Sequence, residues 1–244
     1  MMSILYRLRN YSIFTVSGNV QNYAAMLRSV LDSEPGLTRD RIMVFADWDL
    51  SAFQRIAPEL VDRFTYGRQT PEKPFAITRE NNRGLRWAWQ ERNDDAVLVE
   101  DDVIVKSPAL FQQLAQFAEA YGGRCLLQPG IVGFIYHNVT CQPNDHLQVH
   151  QEPKHFPIIC TYFPRELELL IGYYDEGITS YGCDDNDYSL RCVKAAVLQL
   201  ACPRLRVEHR YDSGSVFKQK RAQDQQRSIN YFRKKWKGLQ DTWP

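Results

Sequence analysis

Hydrophobic positions alternate between short runs and helical stripes over the first hundred residues. Ile13-Phe14-Thr15-Val16 is a run of strand formers that ends in a polar turn, Ser17-Gly18-Asn19. Tyr23, Met26, Leu27, Val30 and Leu31 then recur at the three- and four-residue spacing that lines one face of a helix. Ile42 to Ala46 predicts a second strand, ending in Asp47-Trp48-Asp49, and Leu85, Trp87, Ala88 and Trp89 give an apolar helix face ahead of a third strand, Ala96-Val97-Leu98-Val99. This β-α-β-α-β order predicts a parallel sheet flanked by helices, with ligands bound outside the carboxyl ends of the strands.

The second half is less regular. Leu110, Phe111, Leu114, Phe117, Ala118 and Tyr121 share one helical face, with Ser107 as the expected N-cap, Pro108 at the first helical position and Gly122-Gly123 as the stop. Ile131 to Tyr136 and Ile158 to Phe163 read as strands, separated by a polar stretch from His137 to His155 that reads as a loop or insertion. Pro164 opens a short helix to Leu170. Another helix starts after Gly182, with Asp184 or Asp185 as its cap and Leu190, Val193 and Val197 toward the core. Near the end, Ile229, Phe232 and Trp236 fall on one face of a basic helix. There is no internal repeat, low-complexity segment or linker, so a single domain is expected, with halves at 11–105 and 106–217 and a basic segment at 218–244.

Two acidic clusters interrupt this pattern. Glu100-Asp101-Asp102 stands between the third strand and a β-branched run, Val103-Ile104-Val105. An acidic run after a strand is often a helix cap, but the residues that follow are extended, so the acids occupy a kink between two strand segments. Three like charges there resist burial unless a cation sits among them, and hard oxygen donors suit Mg²⁺ or Mn²⁺. The second cluster, Asp184-Asp185-Asn186-Asp187, carries more acid than a helix cap requires.

Composition narrows the setting. With 44% hydrophobic and 24% charged residues over 244 positions, the chain reads as an ordinary globular protein. The absence of a long apolar run gives the expectation of a soluble, cytoplasmic protein with no transmembrane segment. Cys125, Cys141, Cys160, Cys183, Cys192 and Cys202 lack the paired spacing of a zinc site and read as thiols in a reducing compartment. The net charge of +1 hides a basic end: Lys218, Lys220, Arg221, Arg227, Arg233, Lys234, Lys235 and Lys237 face a single acid, Asp224. Such a stretch suits a phosphate-rich ligand, nucleic acid or an anionic surface, and equally a solvated helix.

Taken in order, four motifs resemble those of the GT-A fold glycosyltransferases. Val99-Glu100-Asp101-Asp102-Val103 looks like their DXD-type acid motif, in a wording similar to that of the N-acetylglucosaminyltransferases; Gly182 to Arg191 resembles the motif opening their acceptor-side helix. Val207-Glu208-His209 is similar to a segment bearing a metal-ligating histidine, and Asn230 to Gly238 to the ending of family 2-like members. The first loop departs from the family in lacking a proline, and Asp184 stands where glutamate is more common. The resemblance implies an α/β protein of the GT-A class, a Rossmann-like central mixed sheet flanked by helices.

It also implies chemistry. Asp102 and His209 are the metal ligands it points to, for Mn²⁺ or Mg²⁺; Thr15, Ser17, Asp47, Glu100 and Asp101 contact the donor, with Asp49 as the alternative to Asp47. Asp185 is the general base and Asp184 its orienting neighbour, a placement that implies inversion at the anomeric carbon. The implied partner is a nucleoside-diphosphate sugar, most commonly a UDP-sugar. The acceptor, whether glycan, protein, lipid-linked sugar or modified nucleic acid, is unread. Two other readings stand beside this one. A nucleotidyltransferase would use similar carboxylates, but the single glycine of Ser17-Gly18-Asn19 makes no phosphate loop. A nucleic-acid or anionic-surface binding module would use the basic tail with Tyr231, Phe232 and Trp236 as stacking groups.

Overall fold

The computed structural model describes residues 9–70, 76–133, 147–149, 156–179, 182–210 and 215–237, with side chains of the last segment described from 225 onward. Strand β1 (Tyr11–Ser17) leads into helix α1 (Val20–Ser33), whose first turn is capped by Asn19: its Oδ1 accepts from the Gln21 and Asn22 N–H groups at 3.0 and 3.1 Å. Strand β2 (Ile42–Ala46), helix α2 (Leu50–Ile56), strand β3 (Thr65–Arg68), helix α3 (Ile77–Arg86) and strand β4 (Asp95–Val99) follow. Strands β1 to β4 are all parallel, in the order β3-β2-β1-β4.

The remaining strands make the sheet mixed. They are β5 (Val103–Val105), β6 (Cys125–Val132), β7 (Gln148–Val149), β8 (Cys160–Phe163) and β9 (Leu198–His209), interleaved with helices α4 (Leu110–Ala120), α5 (Leu167–Leu170), α6 (Asp184–Lys194) and α7 (Ser215–Lys235). β8 joins β4 antiparallel, and the order continues β8-β6-β9-β5, with β7 on β9. Helices cover both faces. One core holds Ile13, Val44, Val97 and Val99 with Leu27 and Val30 of α1 and Phe111 and Leu114 of α4; the other holds Phe14, Leu98 and Leu126 with Leu85 of α3 and Tyr188 of α6. No helix among the described residues is long and apolar enough to cross a membrane.

Several local expectations change. Helix α4 begins at Leu110, not at Pro108, and Ser107 does not cap it: the Ser107 hydroxyl accepts from the Arg206 N–H at 2.8 Å. The cap comes from a distant residue, buried Glu34, whose Oε1 accepts from the Phe111 N–H at 2.8 Å. Helix α6 is preceded by Cys183 at a positive φ of 66°, so Asp184 and Asp185 lie inside the first turn and not at the cap. Within α6, Val193 is exposed, while Tyr188, Leu190 and Cys192 take the core. Beyond α3 the helix widens into a π segment, Trp87–Glu91, whose altered pitch lets three consecutive apolar residues, Trp87, Ala88 and Trp89, all bury.

Strand β6 begins at Cys125, earlier than Ile131, because Cys125-Leu126-Leu127 also buries; residues 134–136 of the expected strand lie outside the described residues, as does most of the 137–155 stretch and Cys141. Strand β9 carries no clear alternating signal and contains Pro203. The ladder with β6 absorbs it by a register shift between Pro129 and Gly130, where the partners jump from Cys202 to Arg206.

Candidate functional site

The carboxyl ends of β1, β2 and β4 converge, and the acid triplet sits there. Glu100 is pinned by its backbone N–H, which donates to the Ile159 carbonyl at 2.9 Å; the Val103 N–H donates back to the Glu100 carbonyl at 3.2 Å, so the three acids make a tight turn between β4 and β5. β5 then pairs with the far end of β9, Val103 opposite His209. This pairing delivers the imidazole: His209 Nε2 lies 3.1 Å from Asp102 Oδ1 and 3.4 Å from Glu100 Oε2. Ligand atoms of Glu100, Asp102 and His209 all lie within 4.8 Å of one another.

Asp101 points elsewhere. Its Oδ2 accepts from the Ser17 hydroxyl at 2.7 Å and the Asn19 N–H at 3.1 Å, and the Ser17 oxygen in turn accepts from the Trp48 indole at 3.0 Å. A chain of indole, hydroxyl and carboxylate therefore ties the ends of β2, β1 and β4. Ser17, expected at the donor, orients Asp101, and Trp48 is a contributor that sequence reasoning passed over. Only its place between Asp47 and Asp49 could have drawn attention to it. Thr15 is buried one pleat below Ser17, with its hydroxyl unpartnered. Asp47 is exposed at the end of β2 beside Gly18, while Asp49 is engaged by Arg68.

The electrostatics follow from crowding. The Glu100 side chain keeps 46% of its surface open, but the protein packed around its carboxyl raises it to about 7, with Asp102 and Asp101 adding to the rise against the pull of His209. Burial likewise lifts Asp101 to about 6, against the Ser17 hydrogen bond that favours its charge. Burial alone would lower His209, but its bonds to Asp102 and Glu100 win and raise it to about 9. The same two oxygens that hold the imidazole here are the ones a divalent ion would draw on.

The second cluster reaches the first through two residues. The Ile158 N–H donates to Asp185 Oδ2 at 3.1 Å, while the next residue, Ile159, accepts from Glu100. Burial holds the Asp185 carboxyl well above the usual range, and Asp184 and Glu100 add their repulsion; Asp184 is raised by burial too. Glu100, Asp102 and His209 are thus brought together, and Asp185 is tied to Glu100 through Ile158-Ile159, whereas Asp187 is directed elsewhere. Asp187, 1% exposed, turns away and is bound by Arg191, Lys235 and Trp236.

A parallel β-α-β half, an acid turn at the end of its fourth strand and a mixed second half together define the fold of the GT-A type glycosyltransferases. GalNAc-T7, solved with UDP, GalNAc and Mn²⁺, is similar with a TM-score of 0.65 and 12% identity over 85% of this chain and 44% of that one. A mannosyltransferase from Pyrobaculum calidifontis, solved with GDP-Man and Mn²⁺, gives 0.65 and 14% over 89% of this chain and 62% of that one. TarS from S. aureus, residues 1–349 with UDP-GlcNAc, gives 0.62 and 12% over 84% of this chain and 60% of that one. The chain thus spans less than two thirds of these neighbours. No family model matches the sequence, and no curated protein matches it.

Proposed function

We propose that the chain is a metal-dependent glycosyltransferase that moves a sugar from a nucleoside diphosphate to an acceptor hydroxyl, with inversion. The observation that supports it most is the dipeptide Ile158-Ile159, which holds Glu100 on one side and Asp185 on the other. The reaction needs those two functions a few ångströms apart: neutralisation of a leaving diphosphate and removal of a proton from the attacking hydroxyl. The fold neighbours crystallised with UDP or GDP-Man and Mn²⁺ support the same reading.

The donor set fits a hard divalent ion. Octahedral ligands at about 2.1 Å place neighbouring donors roughly 3 Å apart, and His209 stands 3.1 Å from Asp102 and 3.4 Å from Glu100. Asp102 and His209 would hold Mn²⁺ or Mg²⁺, with Glu100 beside them. When bound, the ion supplies Lewis-acid stabilisation of the departing diphosphate. Asp101, held by Ser17 and Asn19, would accept from a hydroxyl of the sugar donor, and Asp47, exposed at the end of β2, would meet its base. Asp185 takes the acceptor's proton. Its raised proton affinity suits a base, and Asp184 orients the incoming hydroxyl. A base opposite the leaving group gives single displacement and inversion.

The test is a panel of UDP- and GDP-sugars incubated with Mn²⁺, scored for nucleoside diphosphate, then acceptor panels of glycans, proteins, lipid-linked sugars and DNA. Mn²⁺-dependent release of nucleoside diphosphate is expected. Pyrophosphate as product would move the reading to a nucleotidyltransferase, and salt-sensitive DNA binding without turnover would move it to a binding module.

A further inference from the structure

The basic C-terminal helix carries a role that its charge does not announce. Its last turn is turned inward: Phe232 and Trp236 are buried and pack with Leu190 of α6. The Trp236 indole donates to Asp187 Oδ1 at 2.9 Å. The Lys235 ammonium lies 2.6 Å from the same Asp187 oxygen and 2.6 Å from Asp175 Oδ2. Arg191, one turn along α6, completes the set at 3.0 Å from Asp187 Oδ2. One cation of α7 thus bridges α6 to the segment that precedes it.

That segment is clamped from its other side by the donor half. Asn82 of α3 accepts from the Tyr174 N–H at 2.7 Å and donates to the Tyr174 carbonyl at 3.0 Å, and the Thr78 hydroxyl donates to the Ile178 carbonyl at 3.0 Å. The Tyr231 hydroxyl donates to Asp175 at 3.1 Å, close enough that a side chain at Gly177 would overlap its ring. Residues 174–178 are therefore held between α3 and α7.

The arrangement answers an electrostatic problem. The first turn of α6 contains Asp184, Asp185 and Asp187, and Asp187's charge adds to the rise of Asp184. A helix N-terminus tolerates one such charge well and three poorly. Lys235, Arg191 and the Trp236 indole draw the Asp187 carboxylate to the α7 side of the helix, while Asp185 is bonded on the other side by the Ile158 N–H.

We propose that α7 is the positioning element of the acceptor-side acids: Lys235 and Trp236, acting through Asp187 and Asp175, set where Asp184 and Asp185 stand. This rests on the reading of those two acids given under the proposed function, and it adds residues that touch neither donor nor acceptor.

The test compares the full chain with Trp236→Phe, which keeps an aromatic ring but no N–H donor, and Lys235→Met, which keeps the stem but no charge. Hydrogen exchange is read at 156–159 and 182–192, which hold the Asp185 contacts, and at 95–105, which hold the metal-side acids. Each variant is expected to speed exchange in the first two segments by about tenfold or more, since a hydrogen bond to a buried charge is lost, and to leave 95–105 unchanged. With UDP-sugar turnover, kcat should fall while Mn²⁺-dependent UDP binding holds, and Lys235→Arg should recover it. Unchanged exchange at 182–192, or an equal rise in all three segments, would overturn the assignment. If the unaltered chain turns over no nucleotide sugar, the glycosyltransferase reading fails, and the exchange pattern still decides whether α7 positions α6.

Discussion

Asp101→Asn isolates the cost of keeping a charge in the acid turn. The two nearest donors to Asp101, the Ser17 hydroxyl and the Asn19 N–H, meet one oxygen, Oδ2, so an amide with its carbonyl there retains them, and only a lesser contact from the Gly18 N–H is put at stake. What the substitution removes is the charge. Burial raises this carboxyl from 3.8 to about 6, and one pKa unit corresponds to about 1.4 kcal/mol, so ionisation costs the fold at most about 3 kcal/mol. Because the folded pKa is the higher one, the native protein is favoured below about 4 and loses that advantage as pH rises through about 6. The asparagine variant does not titrate. In chelator-treated protein at pH 8 it should therefore be the more stable by up to about 3 kcal/mol, roughly 6 to 12 °C in Tm for a chain of this size. The gap should close near pH 4. Thermal and urea unfolding of both proteins between pH 4 and pH 8 measures it, and a variant that is less stable at pH 8, or a gap independent of pH, would refute the account of crowding in the turn.

Asp102→Ala should lose Mn²⁺-dependent UDP binding measured by calorimetry; full retention would remove Asp102 from the metal site. Asp185→Asn should keep nucleotide binding while transfer falls by about 10²–10⁴, and an active variant would count against the base. Because the Asp185 carboxyl is raised by burial, activity should decline on acidification at a pH above that of an ordinary aspartate, which a pH–rate profile checks. Gly84→Ala places a methyl inside the ring of fully buried Phe14, so overpacking of about 1–3 kcal/mol should outweigh the roughly 1 kcal/mol of helix propensity gained. A Gly84→Ala protein as stable as its parent in urea would contradict the close packing of α3 on β1.

Most of the parallel half was legible because its signals are local: strand runs ending in polar turns, and a helix face repeating every three to four residues; the short α2 and edge strand β3, with Gly67 in its middle, gave no such signal. Glu100 to Asp102 also stood out locally, since β-branched residues on both sides leave the acids only a kink to occupy. The remainder depends on contacts between distant residues. Glu34 caps α4 from 77 positions away, leaving Ser107 free to brace β9. Trp48 matters through Ser17, and nothing in the order of residues reports an indole bonded to a hydroxyl. Asp187 looked like a third member of an acid cluster, whereas its place is set by a helix that starts at Ser215. The packing of Phe232 and Trp236 on the domain follows the helical spacing read from the sequence, but the pairing of Lys235 with two distant aspartates could not be read there.

The register shift in β9 has a consequence for how this chain can change in length. Upstream of it, Leu198 to Cys202 pair with Cys125 to Pro129; downstream, Arg206 to Glu208 pair with Gly130 to Val132. From Leu205 to His209 the strand has no further slack, and Val103 opposite His209 fixes its end. A one-residue deletion in this stretch would bring Arg210 opposite Val103, placing a permanent guanidinium beside Glu100 and Asp102, at the site proposed for the metal ion. An insertion would bring Glu208 there and add a fourth carboxylate. Homologous chains should therefore align without gaps from Leu205 to His209, with length variation confined to the irregularity around Pro203.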